Sequence, residues 1–110
     1  MAMVMFGIDA NMHVDLTEDG ISDTYGRAIR WRDLAQVTAE FSGHAVARRM
    51  LVFRSFDGVV LDVVAGESGW DELVEHLVDH IPLRLPNLAD DFPRSLTQEL
   101  TLYLRLRPPG

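Results

Sequence analysis

Residues 48–64 read Arg48-Arg49-Met50-Leu51-Val52-Phe53-Arg54-Ser55-Phe56-Asp57-Gly58-Val59-Val60-Leu61-Asp62-Val63-Val64, and Ser68-Gly69-Trp70-Asp71-Glu72-Leu73-Val74-Glu75-His76-Leu77-Val78-Asp79-His80-Ile81-Pro82 follows closely. The first stretch is a β-hairpin, because Asp-Gly between two apolar runs is the strongest short hairpin signal. Closing it with Asp57-Gly58 as a two-residue loop puts Met50, Val52, Phe56, Val59, Leu61 and Val63 on one side. Leu51, Phe53, Val60 and Val64 then fall on the other side with Ser55 and Asp62. Both faces are largely apolar. Such a strand pair must be covered twice, by core and helix or by another chain.

The second stretch is an amphipathic helix. Trp70, Leu73, Val74, Leu77, Val78 and Ile81 recur at spacings of three and four and form one stripe. Asp71, Glu72, Glu75, His76, Asp79 and His80 take the opposite face. Ser68 is the expected N-cap, with Asp71 at the reciprocal capping position. Pro82 ends the helix by removing a backbone donor.

Outward from this centre the chain alternates like strands. Val4–Asp9, His13–Thr17, Ile21–Tyr25, Ala28–Arg32 and Ala35–Phe41 each carry period-two or apolar patterning. Asp9-Ala10-Asn11 and Glu18-Asp19-Gly20 are turns. Around Gly26-Arg27 a two-residue loop would set Asp23 opposite Arg30. A three-residue loop at 26–28 instead groups Ile21, Tyr25, Ile29 and Trp31 on one side and turns Arg30 and Arg32 to water. A one-residue slip flips every side chain, so burial favours the three-residue loop. Arg32-Asp33-Leu34 interrupts the pattern like a bulge or corner. After a Pro- and Asp-rich connector, Leu100, Leu102, Leu104 and Leu106 alternate with Thr101, Tyr103, Arg105 and Arg107, the mark of a half-buried strand.

The 110 residues fit a single domain, with the core at about 3–81, a connector at 82–98 and a C-terminal strand at about 99–107. Hydrophobic residues make up 47% and charged residues 25%, enough apolar material to disfavour disorder. With no cysteine, disulfides, thiolate nucleophiles and Cys-based zinc sites are excluded. That absence suits a reducing cytoplasm, the expected location. The formal charge of −7 disfavours nucleic acid and anionic membranes. All the basic residues are Arg; without Lys a Walker-type phosphate loop is excluded. The opening apolar run is too short for a membrane span, which needs about 20 residues, and lacks the basic region of a signal peptide.

Several motifs together resemble a known family. Thr17-Glu18-Asp19-Gly20-Ile21, Ile29-Arg30-Trp31-Arg32-Asp33-Leu34-Ala35-Gln36-Val37, Phe56-Asp57-Gly58-Val59-Val60-Leu61 and Gly69-Trp70-Asp71-Glu72-Leu73 resemble small bacterial pleckstrin-homology-like domains. The resemblance covers about residues 14–81. It implies an α+β fold: a bent antiparallel β-sheet or open barrel with one long amphipathic helix after the main strands. The C-terminal strand is an addition to that pattern. The resemblance implies a binding or scaffolding role and no cofactor. Relatives in this fold that bind phosphoinositides do so through basic early loops. This chain has Asp9, Asp15, Glu18, Asp19 and Asp23 there, so phosphoinositide binding is not expected.

The expected function is therefore a non-enzymatic module that binds a protein partner or itself, as a homo-oligomer. Its expected surface comprises Leu51, Phe53, Val60, Val64, Tyr103 and Arg105. Two alternatives compete. Glu72, His76 and His80 sit four apart on one helix face and would offer a metal ladder; a solvated face is the simpler account, and the HExxH arrangement is absent. Trp31 would offer a stacking platform at a barrel mouth, although aromatic residues with apolar periodicity are more often core. Ser68 in Gly66-Glu67-Ser68-Gly69 comes nearest to a nucleophile motif, and capping accounts for it.

Overall fold

The computed structural model describes residues 9–42, 48–88 and 99–106. The strand expected at Val4–Asp9 lies outside these apart from Asp9, as do residues 89–98 of the connector. The strands are β1 (Val14–Leu16), β2 (Gly20–Asp23), β3 (Ala28–Arg30), β4 (Leu34–Ser42), β5 (Arg48–Ser55), β6 (Val60–Val64) and β7 (Leu100–Leu104). They form two antiparallel sheets, ordered β1-β2-β3 and β6-β5-β4-β7. The α+β, antiparallel expectation holds. The strands do not close into a barrel, because the ladder breaks at the Trp31–Asp33 corner. That corner is a 3-10 turn between β3 and β4, followed by a bulge between Leu34 and Gln36.

Two loops built alike set the registers. In the β2–β3 loop the Asp23 amide donates to the Arg27 carbonyl at 2.9 Å, leaving Thr24-Tyr25-Gly26 as a three-residue loop with Gly26 at φ +84°. In the β5–β6 loop the Ser55 amide donates to the Val59 carbonyl at 2.9 Å, leaving Phe56-Asp57-Gly58 with Gly58 at φ +92°. This is the three-residue hairpin whose last position is left-handed, a conformation that favours glycine. Side chains lock both loops: Asp23 Oδ1 accepts from the Tyr25 and Arg27 amides, and Ser55 Oγ accepts from the Val59 amide.

The first loop has the expected length but sits two residues earlier. An even shift preserves the faces, so Ile21 pairs with Ile29 and both are buried, while Arg30 and Arg32 are exposed. The second loop is one residue longer than the expected Asp57-Gly58 loop. That odd shift flips β6 against β5. Leu51 pairs with Val63 and Phe53 with Leu61, and all four are fully buried in one core. Met50, Val52 and Arg54 share the other face with Val64, Asp62 and Val60.

Leu73, Leu77 and Ile81 enter the same core, with Trp70, Val74 and Val78 packed at its margin. The apolar stripe is as expected, but the helix is not long. α1 spans only Trp70–His76, and a single 3-10 turn, Leu77–Asp79, completes it. Pro82 disfavours helical backbone at Ile81, and a tight last turn is the usual resolution. Ser68 does not cap the helix. The N-cap is Gly69 at φ +91°, with no side-chain cap.

β7 pairs with β4 across a bulge between Val37 and Thr38. The bulge breaks the leucine alternation, so adjacent Leu102 and Tyr103 are both buried while Leu104 is exposed. Between the sheets, Arg27 Nη1 reaches Asp62 Oδ1 at 2.7 Å, while Arg27 Nε pairs with the buried Asp23 carboxylate at 2.5 Å. Partial burial works against the Arg27 charge, but the hydrogen bonds to Asp62 and Asp23 outweigh it and hold its pKa above the ordinary value.

The two left-handed glycines separate backbone strain from collision. A Cβ on Gly26 would meet nothing within 4 Å, whereas one on Gly69 would lie 2.3 Å from the Val14 carbonyl oxygen. Gly26→Ala should cost about 1 kcal/mol in urea unfolding, the left-handed penalty alone. Gly69→Ala should cost roughly 3 kcal/mol, because β1 must also move. Equal costs would refute the close approach of Gly69 to β1.

Candidate functional site

The corner at Trp31 and the two hairpins enclose a cleft of about 280 Å³. Thr17, Asp19, Gly20 and Ser22 contribute from β2 and its leading turn, Ala28 and Arg30 from β3, and Asp33, Ser55 and Asp57 from the corner and the β5–β6 loop. A second depression of about 520 Å³ shares Asp19 and Arg30 and adds Glu18, Trp31 and Arg32. Register explains why space exists. Ile21 and Ile29 turn inward, so Ser22, Ala28 and Arg30 turn outward, and two of these are small.

β3 is an edge strand whose other flank faces the β5–β6 loop. The Asp23–Arg27 and Asp19–Trp31 hydrogen bonds fix which residues bond to β2. Antiparallel alternation then directs the Ala28 N–H and C=O and the Arg30 N–H away from β2. The Arg30 guanidinium has no hydrogen-bond or ion-pair partner among the described residues. Three carboxylates, Asp19, Asp33 and Asp57, share the cleft with it. The Asp33 carbonyl accepts from the Phe56 amide at 3.0 Å, which ties the β5–β6 loop to the corner and fixes the width of the cleft.

Trp31 is half-buried at the rim. Its Nε1 donates to the Thr17 carbonyl at 3.0 Å, and its ring stacks on His80 with centroids 5.0 Å apart and planes 15° from parallel. An offset stack of this kind contributes about 0.5–1.5 kcal/mol. The His76–His80 ladder therefore does not form. The α-helix stops at His76, the 3-10 turn rotates His80 toward Trp31, and His76 Nδ1 pairs with Asp79 Oδ2 at 3.0 Å. Among the described residues no three His, Asp or Glu side chains group as metal ligands.

The surface expected at Leu51, Phe53, Val60, Val64, Tyr103 and Arg105 is also corrected. Leu51 and Phe53 are fully buried, and Val64 and Tyr103 nearly so. Only Val60 is exposed, at 46%. Arg105 is half-buried, with its Nη1 on the Arg32 carbonyl at 2.9 Å and its guanidinium over Tyr103 at 6.0 Å. The one-residue hairpin shift also puts Val60 and Val64 on the face opposite Leu51 and Phe53, and the β7 bulge accounts for the burial of Tyr103.

A second constellation lies where the start of β1 meets the β6–α1 connection, and it was not anticipated. His13 Nδ1 stands 2.6 Å from Ser68 Oγ, and His13 Nε2 stands 3.0 Å from Asp15 Oδ1. Backbone contacts place all three. The pleat of β1 puts His13 and Asp15 on one face, and a bridge from the Val14 amide to the Ser68 carbonyl at 3.1 Å draws Ser68 alongside. The only sequence signals were the His-x-Asp spacing and a serine between glycines. The 55 positions separating His13 from Ser68 hid their meeting.

Nearby, Glu67 is buried and accepts from the Val64 amide at 2.6 Å and the Asp9 amide at 2.9 Å. The Tyr25 hydroxyl donates to the Asp9 carboxylate. That bond holds the Asp9 carboxyl below its ordinary value and the Tyr25 phenol above its own. These contacts fasten loops to the β6 end.

The chain matches no family model, no curated protein and no solved structure. No helix among the described residues is long and apolar enough to cross a membrane.

His76 supplies a test of the corrected helix end. Its hydrogen bond to Asp79, with neighbouring acids adding to it, raises the imidazole pKa above the ordinary 6.5. A raised folded-state pKa means the pair stabilises when His76 is protonated, below the unfolded value, and that this contribution is lost as pH rises through the folded value. The NMR titration of His76 should therefore sit above 6.5 and fall back toward it in Asp79→Asn. An unchanged midpoint in that variant would refute the pair.

Proposed function

We propose that this chain is a pleckstrin-homology-like protein-binding module that receives a basic segment of a partner polypeptide in the cleft between β3 and the β5–β6 loop. The observation that carries this reading is the cleft itself. It joins outward backbone groups of an edge strand to three carboxylates and one unpaired guanidinium. Edge backbone groups accept extended chains, as in strand addition. Three acids against one Arg30 leave a negative field that favours cationic side chains. Arg30 adds a place for a single carboxylate on the same segment.

Chemistry disfavours the other occupants. Phosphoinositides and nucleic acid would meet Asp19, Asp33 and Asp57 as well as the overall charge of −7. A second copy of so acidic a chain is repelled at long range. A cleft of about 280 Å³ is slightly below the roughly 300–1,000 Å³ usual for small-molecule pockets, but suits one or two side chains of a docked segment.

Peptide display against the immobilised protein tests the reading. An enriched sequence carrying Lys or Arg is expected, with binding that weakens as salt is added. Ala28 is exposed and lines the cleft. Ala28→Trp should fill the cleft without touching the core and remove the enrichment. No enriched sequence, or one that binds the Ala28→Trp protein as well, would rule the cleft out. Light scattering showing concentration-dependent dimers would instead favour self-association.

A further inference from the structure

Ser68, His13 and Asp15 lie outside the cleft and serve none of the binding just described. We infer that Ser68 is an activated nucleophile, with His13 as its general base and Asp15 as the group that positions His13. The geometry meets the first two demands of such a site. The hydroxyl lies within hydrogen-bond reach of an imidazole nitrogen, at 2.6 Å, and the second nitrogen is held by a carboxylate at 3.0 Å. A serine–histidine–carboxylate relay is recognised by geometry and roles, not by chain order. His13 uses Nδ1 toward the serine and Nε2 toward Asp15. Either ring nitrogen accepts a proton when the other carries one.

Two further observations support activation. Ser68 is freed from capping, since Gly69 occupies the N-cap position and the helix has no side-chain cap. The trio is also built on fixed backbone. Val14 donates to the Ser68 carbonyl at 3.1 Å, and the His13 amide donates to Thr24 Oγ1 at 2.8 Å. His13 and Ser68 form an isolated bridge beside β1, so these backbone bonds and not a strand ladder hold the pair in register.

The His13 and Asp15 side chains are 50% and 65% exposed. The substrate class is accordingly a small activated ester or acylating reagent that approaches from solvent. In the reaction Ser68 Oγ attacks the ester carbonyl carbon and a new carbon–oxygen bond forms. The hydroxyl proton passes to His13, which returns it to the departing alkoxide as the ester bond breaks. The acyl group stays on Ser68 until water, losing a proton to His13, attacks its carbonyl carbon; the acyl–oxygen bond then breaks, Ser68 Oγ takes that proton back from His13, and the acid is released.

A fluorophosphonate probe and p-nitrophenyl acetate test the inference on the whole chain. Intact-mass and peptide analysis should place one phosphonyl group on Ser68. Labelling should vanish in Ser68→Ala and slow by about 100-fold in His13→Gln, the lower range of general-base effects. Asp15→Asn should slow it by a smaller factor. Ser68→Cys guards against loss of fold, because it introduces the single thiol of a cysteine-free chain. Iodoacetamide should alkylate that thiol at least about 10-fold faster than in Ser68→Cys/His13→Gln, since the thiolate is the reactive form and a neighbouring imidazole promotes it. An unlabelled Ser68, or rates indifferent to His13 in both assays, would overturn the inference.

Discussion

The register of two hairpins governs this molecule. Each depends on a three-residue loop whose last residue, Gly26 or Gly58, adopts a left-handed backbone. Moving either strand by one position would send its inward residues to solvent. In the first sheet Ile21 and Ile29 are at stake, and in the second Leu51, Phe53, Leu61 and Val63. Burying each such side chain contributes about 1.5–3 kcal/mol, far more than any turn hydrogen bond in the structure. Loop chemistry thus permits this register, and the core makes any other untenable. Asp23 and Ser55 reinforce the selection by bonding across their own loops.

The short helix follows from the same core. Two sheets of three and four strands leave an apolar opening between them, and Leu73, Leu77 and Ile81 fill it. Only one helical stripe is needed. The chain can therefore leave α geometry at His76 without exposing apolar surface, because the 3-10 turn still delivers Leu77 to the core. The tighter turn brings His80 over Trp31. A packing solution at the helix end thereby sets one wall of the surface near the cleft.

Both candidate sites arise where strands run out of partners. Among the described strands β3 has no partner on its outer flank, and Arg27, through Asp62 and the Val60 carbonyl, reaches from the β2–β3 loop to the second sheet. The cleft occupies the remainder of that seam. Among the described residues β1 pairs with β2 alone, and the bridge from His13 to Ser68 lies on its other side. The polar residues gathered at these two seams are the ones that a continuous sheet would have separated.

Local sequence determined that residues 48–64 pair as a hairpin, from Asp57-Gly58 between apolar runs, that 70–81 present one apolar stripe, and that Arg32-Asp33-Leu34 break the strand pattern as a bulge or corner. Those readings rest on local patterns, and local patterns survive folding because alternation and helical spacing hold wherever the segment is packed. The faces of β6 were not legible. Asp57-Gly58 suits loops of two and three residues alike, and only the shared burial of Leu51 with Val63 chooses between them. The same one-residue difference separated Leu51 and Phe53 from Val60 and Val64, which the two-residue loop would have put beside them. The β7 bulge buried Tyr103, because strict alternation in sequence cannot reveal where a partner strand slips. The meeting of His13 with Ser68, and the sharing of one cleft by Arg30 and Asp57, belong wholly to tertiary structure. Both bring together segments distant in sequence, and they depend on how two sheets and a corner are oriented, which no single segment encodes.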